Sequence, residues 1–180
     1  MELSSISEHA TMDELCLLYL HKHAYPKKKP SSAKMDQYLI EKYIQPYFAA
    51  RMVADVTSRD ICLFQDRYRN TPTTANRLLE VLSKMLNLAE RWGFRSGTNP
   101  CRHVDRFREK PKNRFLTPEE IVRLQKELTR QARTTPHAAG ALWLLLLTGC
   151  RRSEIVSMKW DQIDLKHNVL KLADSKTGER

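Results

Sequence analysis

Residues 75–92 carry apolar side chains at Leu78, Leu79, Val81, Leu82, Met85, Leu86, Leu88, Ala89 and Trp92. The spacing is helical, but the apolar positions occupy more than one face. A helix of that kind cannot lie on a surface with one side in water; it has to be surrounded by other elements. Pro72 and Thr73-Thr74 introduce it, and Gly93 follows as a C-cap. The chain must therefore supply several more helices to cover it.

The preceding sequence supplies three. Thr11 with Glu14 forms a capping box, so a helix is expected from there to about His23, burying Leu15, Cys16, Leu18 and Tyr19. Tyr25-Pro26-Lys27-Lys28-Lys29-Pro30 breaks it, and two prolines around three lysines predict an extended basic loop. Ser31 or Ser32 can cap a second helix to about Ile44 or Pro46, with Met35, Tyr38, Leu39, Tyr43 and Ile44 as its apolar stripe. Thr57 can cap a third helix over 58–69, with Ile61, Phe64 and Tyr68 inward. Four helices with short connections make an all-α domain over residues 11–93, after a loosely ordered polar stretch at 1–10.

From Phe94 the character changes. Gly97, Asn99-Pro100 and Pro111 break structure, and Arg102, Arg106, Arg108, Lys110, Lys112 and Arg114 face only Asp105 and Glu109. Residues 94–114 read as a basic interdomain linker suited to lie along phosphates. Beyond it, Thr117, Pro118 and Glu120 start a helix with a cap, a proline at its first position and a capping box. Ile121, Leu124 and Leu128 are its inward positions. Pro136 opens another helix whose apolar run, 141–147, stops at Thr148-Gly149. Arg151, Arg152 and Glu154 follow, then Ile155, Val156, Met158 and Trp160. This predicts a buried helix, a glycine break and a short second helix, with a cationic side chain held at the end of a rigid element. Residues 168–172 read as a strand, with a hairpin turn at 174–178.

Composition narrows the partners. Lys and Arg number 31 against 21 Asp and Glu, a net charge of +10 that favours polyanions, nucleic acid ahead of acidic membrane surfaces. The four cysteines, Cys16, Cys62, Cys101 and Cys150, contain no CxxC pair, and Cys16 and Cys62 read as small core residues of a reducing compartment. The histidines are scattered, so no metal or cofactor is expected. No apolar run reaches the length of a membrane span, and no secretory signal is visible at Met1 to Ser5, so the expected location is cytoplasmic.

The order of these features resembles the tyrosine recombinases, particularly phage and prophage integrases. Three blocks carry the resemblance: Thr74-Ala75-Asn76-Arg77 through Gly93 and on to Asn99-Pro100; Arg114 to Ile121; and Thr148-Gly149-Cys150-Arg151-Arg152-Ser153-Glu154 followed by Trp160, Asp161, Ile163 and Asp164. The third is similar to the T-G-x-R-x-x-E box of the family, and Lys176 sits where the family has a hairpin lysine. The resemblance implies a mainly α fold. It would have an N-terminal four-helix core-binding (SAM-like) domain and, over 115–180, the first, mostly helical part of an α+β catalytic domain with a small β-hairpin.

It also implies a chemistry. In the family a tyrosine attacks a DNA phosphodiester and forms a 3′-phosphotyrosyl link. A guanidinium suits the charge that develops on the non-bridging oxygens, which is the role implied for Arg151, with Glu154 in support. A lysine on a hairpin can protonate the leaving 5′ oxygen, the role implied for Lys176. Lys27, Lys28, Lys29, Lys34, Arg77, Arg102, Arg106, Arg108, Lys110, Lys112, Arg114 and Arg152 are the expected contacts to double-stranded DNA. An intact family member would act as a homo-oligomer on that DNA.

The family's His-x-x-Arg box and nucleophilic tyrosine follow the hairpin lysine, whereas the six tyrosines here are Tyr19, Tyr25, Tyr38, Tyr43, Tyr47 and Tyr68. The expectation is a C-terminally truncated recombinase that binds DNA and does not cleave or rejoin it alone. Ten residues before Thr11 are also too few for the arm-binding domain of many integrases. The alternative is a non-enzymatic DNA-binding protein that occupies recombination sites or interferes with an intact recombinase. An incomplete catalytic fold is expected to expose apolar surface around 141–147 and 169–172, leaving that half poorly stable.

Overall fold

Two prolines inside helices shape the first half of the molecule. A proline within a helix removes one backbone hydrogen bond and its ring clashes with the carbonyl one turn earlier, at a cost of about 3 kcal/mol. In the computed structural model, which describes residues 9–111 and 113–171, both are preceded by a turn of π-helix. Helix α1 runs over Met12–Tyr19, widens into a π turn at Leu20–Ala24 and resumes at Tyr25–Lys27. Helix α2 runs over Pro30–Leu39, widens at Ile40–Ile44 and resumes at Gln45–Phe48. The Tyr25 N–H bonds to the Leu20 carbonyl and the Gln45 N–H to the Ile40 carbonyl, one residue further back than in an α-helix. The wider turn rehouses the carbonyl that Pro26 or Pro46 would otherwise strike.

The expected extended loop at 25–30 is thereby corrected. The helix continues through Pro26 to Lys27, and extended backbone is confined to Lys28 and Lys29. Pro30 then starts α2 at its first position, where no N–H is needed, so neither Ser31 nor Ser32 is the cap. Helix α2 also reaches Phe48, beyond the expected end.

Helix α3 (Ser58–Asp66) and helix α4 (Pro72–Arg91) complete a bundle. Thr57 and Asp60 form the capping box of α3, and Thr11 and Glu14 that of α1. Leu78, Leu82, Met85, Leu86 and Ala89 of α4 are fully buried, as the two-sided pattern requires. They pack in one core with Leu15, Tyr19, Ile44, Phe48, Ile61 and Phe64. Tyr43, Tyr47, Phe48, Phe64 and Tyr68 form a chain of tilted and edge-to-face rings, with centroids 4.7–5.4 Å apart. A single antiparallel bridge, Thr11 to Met52, ties the start of α1 to the loop after α2.

Helix α4 ends in a Schellman motif. Gly93 sits at φ +78°, its N–H bonds to the Glu90 carbonyl, and the Phe94 N–H bonds to the Ala89 carbonyl. Phe94 then turns into the core, where it is 1% exposed.

The face of α2 differs from the expected one. Met35 and Tyr38 point outward, and Ala33, Asp36, Leu39 and Ile40 point inward. The reason is polar. The buried Asp36 carboxylate accepts from the Tyr19 hydroxyl at 2.6 Å and from the Lys28 ammonium. Burial and then the Asp36 bond raise the Tyr19 phenol above its ordinary pKa. Cys62 also faces out, since Ile61 and Phe64 are the inward positions of α3, whereas Cys16 and Cys101 are buried.

The stretch expected to be linker starts as part of the bundle. Asn99 caps a 3₁₀ turn at Pro100–His103, and Cys101 and Val104 are buried. The described residues up to Pro111 form one compact unit and those from Asn113 onward another. In the second unit, α5 (Pro118–Gln131) packs on α6 (Pro136–Thr148), followed by α7 (Arg152–Val156) and a 3₁₀ turn at Trp160–Gln162. A two-stranded antiparallel hairpin closes the described part: β1 (Ile163–Asp164) pairs Ile163 with Leu170 and Asp164 with Val169 of β2 (Val169–Leu170). The fold is mainly helical, an N-terminal bundle followed by a unit with a small C-terminal β-hairpin.

Here the hairpin turn lies at 165–168, with Asn168 at φ +56°, and the strand's partner precedes it. The turn expected at 174–178 lies outside the described residues. Among the described residues of this unit, Leu128, Ala139 and Ile155 are the buried apolar ones. Helix α6 is not the buried helix its apolar run suggests, and it shows the exposed apolar surface expected around 141–147 of an incomplete catalytic fold. Leu142, Leu146 and Leu147 are exposed, as are Val156, Trp160, Leu165 and Val169.

The shared carboxylate of Asp36 gives an ordered pair of stability changes. Tyr19→Phe removes a hydroxyl that donates to Asp36 and accepts from Lys28 at 3.0 Å, but leaves the Lys28–Asp36 pair intact, and should cost about 1 kcal/mol. Asp36→Ala takes the acceptor from a buried hydroxyl and the counter-charge from a half-buried ammonium, which keeps only its bond to that hydroxyl, and should cost about 2–3 kcal/mol. Urea unfolding of the two variants checks this; equal costs would show that the carboxylate does not serve both donors.

Candidate functional site

The glycine break in the second unit is built as a sequence of local bonds. The Thr148 hydroxyl donates to the Leu144 carbonyl at 2.5 Å, holding the last turn of α6. Gly149 caps the helix at φ +64° and ψ +14°, a conformation other residues adopt with strain. The chain leaves that cap with a new direction, and Arg151, in extended conformation, becomes the N-cap of α7. Ile155, 5% exposed, anchors the short helix.

Glu154 fixes the arginine. Its carboxylate accepts the Arg151 backbone N–H at 2.7 Å and the guanidinium at 2.6 Å. The Glu154 side chain is 9% exposed and that of Arg151 is 44% exposed. One carboxylate thus ties down both ends of the arginine while leaving much of the guanidinium in solvent. Arg152, at the first position of α7, is exposed. Lys176 lies outside the described residues.

In the first unit the cations gather on another surface. His23, in the π turn of α1, is held below the ordinary histidine range by desolvation first, then by the positive charges of Lys84, Lys28 and Lys27. Lys84 of α4 therefore shares a corner with the basic end of α1. It also lines a shallow cleft of about 480 Å³ with Asn87, Leu88, Glu90, Arg91 and Arg102. The result is a basic band from Lys27 through Lys84 to Arg91 and Arg102. Lys84 and Arg91 were not among the expected contacts. Helix α4 read as a core helix, and its outward positions became informative only once their neighbours on α1 and in the 3₁₀ turn were known.

The other expected contacts divide by partner. Lys28 is paired with Asp36, Arg77 and Arg106 with Glu80, and Arg114 with Glu120. Lys27, Lys34, Arg102, Arg108 and Lys110 have no carboxylate partner among the described residues. Lys29 is exposed beside the start of α2. Lys112 lies outside the described residues.

Residues 114–180 match the profile of the phage integrase family. A shufflon-specific DNA recombinase of Escherichia coli is 31% identical over 147 residues, covering 72% of this chain and 36% of the relative. Prophage integrase IntZ of Escherichia coli strain K12 is 27% identical over 146 residues, covering 79% of this chain and 36% of the relative. The chain thus spans about a third of the length of these relatives. Among solved structures, lambda integrase in a tetramer bound to a Holliday junction superposes with a TM-score of 0.81 at 19% identity, over 96% of this chain and 50% of that one. Tn1549 transposon integrase (residues 82–397) in complex with circular intermediate DNA gives 0.68 at 17%, over 92% and 57%. At those identities the structures speak for the fold. The sequence matches, together with the Thr148 to Glu154 turn, carry the relationship further: the chain belongs to the tyrosine recombinase family, the phage integrases.

Proposed function

We propose that this chain is the duplex-holding part of a site-specific tyrosine recombinase. The first unit grips double-stranded DNA through the basic band, and the second presents Arg151 to a phosphate. The observation that carries the reading is the cleft in which Lys84, Arg91 and Arg102 come together with one carboxylate, Glu90, at its lining. Like charges at such proximity repel, and a polyanion relieves the repulsion. The similarity in fold to lambda integrase, solved on a core site and on a Holliday junction, supports the same partner.

Arg151 fits a phosphate clamp. A guanidinium stays charged and offers a planar fork to two oxygens. With Glu154 holding one nitrogen and the backbone, the exposed remainder keeps its orientation before a ligand arrives. That is the preorganisation electrostatic stabilisation requires. Glu154 acts as its brace, and Lys176 would supply the leaving-group proton. In this reading strand cleavage needs a tyrosine nucleophile beyond the hairpin lysine, whereas the six tyrosines of this sequence precede the Arg151 turn. Association of copies on DNA, as in the lambda integrase tetramer, belongs to the same proposal.

Binding of a labelled duplex over a salt series tests the reading. The logarithm of the binding constant should fall steeply with the logarithm of salt concentration, by about 0.9 for each phosphate neutralised. A flat dependence, or no binding, would sink it. Changing Lys84 and Arg102 together to Gln should flatten the slope by about 1.8, the loss of two phosphate contacts. Arg151→Gln should flatten it by about 0.9 if the guanidinium meets a phosphate in the complex, and leave it unchanged if it does not.

A further inference from the structure

Asn76 lies early in α4 and is 4% exposed, yet its amide makes three hydrogen bonds to one downstream segment. Nδ2 donates to the Phe107 carbonyl at 2.8 Å and to Glu109 Oε1 at 2.7 Å. Oδ1 accepts the Phe107 N–H at 2.9 Å. Both backbone groups of Phe107 are thus satisfied by one side chain, much as a neighbouring strand would satisfy them. Gln65, itself buried, donates to the Asp105 carbonyl at 3.0 Å, and the Thr73 hydroxyl donates to Glu109 Oε2 at 3.1 Å. The Arg69 guanidinium covers the Phe107 ring at 5.6 Å.

The bonded positions are 105, 107 and 109. The positions between and after them are Arg106, Arg108 and Lys110, all exposed. This alternation is that of an extended strand, in which residues two apart share a face and lie about 6.6 Å from each other. The strap therefore lays the Phe107 ring and the Glu109 carboxylate on the bundle, while Arg108 and Lys110 stand in solvent and Arg106 reaches only the exposed Glu80. Two carboxylates stand by this row of cations. Glu80 makes an exposed pair with Arg106 at 3.0 Å, which a phosphate can replace at small cost. Glu109 is engaged, held below the ordinary glutamate range by its bonds from Asn76 and Thr73, with Arg77 and Arg106 adding to the effect.

We propose that Asn76 is a positioning residue for DNA binding: its amide fixes residues 105–109 against the bundle, so that Arg106, Arg108 and Lys110 stand as a pre-ordered row along a phosphate backbone. This rests on the DNA-binding reading above. A loose basic segment loses conformational freedom when it settles on a polyanion. A strap already fixed by folding has lost that freedom beforehand, so the same charges bind more tightly.

The test uses the whole chain and a long duplex, in wild type, Asn76→Ala, Gln65→Ala and Arg108→Gln, with two readouts. Trypsin cleavage after Arg106 and Arg108 reports whether the strap is held; fluorescence anisotropy over a salt series reports binding. Asn76→Ala should speed cleavage at those sites and weaken binding about tenfold, with the salt slope kept because no charge is lost. Gln65→Ala should act in the same direction to a smaller extent, and serves alone if Asn76→Ala does not fold. Arg108→Gln should lower the slope by about 0.9 and leave the strap held. Faster cleavage with unchanged affinity overturns the positioning role, and unchanged cleavage overturns the latch. Absence of salt-dependent binding by the wild type instead brings down the DNA-binding reading, and the proposal with it.

Discussion

Burial of α4 on several sides is the constraint from which the rest of the first unit follows. Fully burying one leucine- or methionine-sized side chain is worth about 1.5–3 kcal/mol, and Leu78, Leu82, Met85 and Leu86 of this helix are completely covered. To cover them, α1, α2 and α3 must all reach α4. That demand explains why α1 and α2 continue past their prolines by a π turn when they could have stopped. The same burial limits where polar groups on α4 can go. Asn76, Ser83 and Asn87 lie on the side left for the chain that follows the helix, and each takes a partner there. Asn99 donates to the Ser83 carbonyl at 2.9 Å and to Asn87 Oδ1 at 2.9 Å, while Asn76 holds Phe107 and Glu109. The helix is thus apolar toward the bundle and amide-lined toward the segment that leaves it.

Much of this was legible in the sequence because the signals are local. A threonine with an acid three residues on fixes its own helix start, and the starts at Thr11, Thr57 and Thr117 are found with both bonds made. A glycine able to take positive φ fixes a stop, as at Gly93 and Gly149. What could not be read depends on partners distant in sequence. Nothing near Asp36 indicates that a carboxylate belongs inside; only the Tyr19 hydroxyl and Lys28 make that position tolerable, and with it inward Met35 and Tyr38 turn out. Likewise the density of arginine in 102–114 suggests a free tether. The amides that bind its first part, Gln65 and Asn76, look like ordinary helix residues until the chain returns to them.

The two units differ in how far their cores close. The first encloses Tyr19, Phe48, Phe64 and Phe94 at 0–1% exposure. In the second, Leu128, Ala139 and Ile155 are buried while Leu147, Val156, Trp160 and Leu165 stand more than 60% exposed. A surface of that kind is rarely left in water by a soluble protein. The Arg151 turn nevertheless needs little of this core. Its geometry is set by the left-handed glycine, by the Thr148 bond to the helix end and by Glu154. All of these act within a few residues, so the turn is specified more strongly than the unit that carries it.

That separation bears on how charge is used. Exposed ion pairs contribute little to stability, on the order of 0–1 kcal/mol, so the pairs Arg77–Glu80 and Arg106–Glu80 can exchange a carboxylate for a phosphate at small cost. Lys28 is different. Its partner Asp36 is buried, and withdrawing the ammonium would leave a carboxylate in the core, so Lys28 serves the fold first. Lys27, Lys84, Arg91 and Arg102 have no carboxylate partner among the described residues. The cations able to meet a polyanion are therefore not told by density in the sequence alone: Lys28 of the lysine run is held by the fold, whereas Lys84 and Arg91, isolated in the sequence, join Lys27, Arg102, Arg108 and Lys110. They are those whose neighbours in the fold provide no buried acid, and the burial of α4 brings their separate segments together.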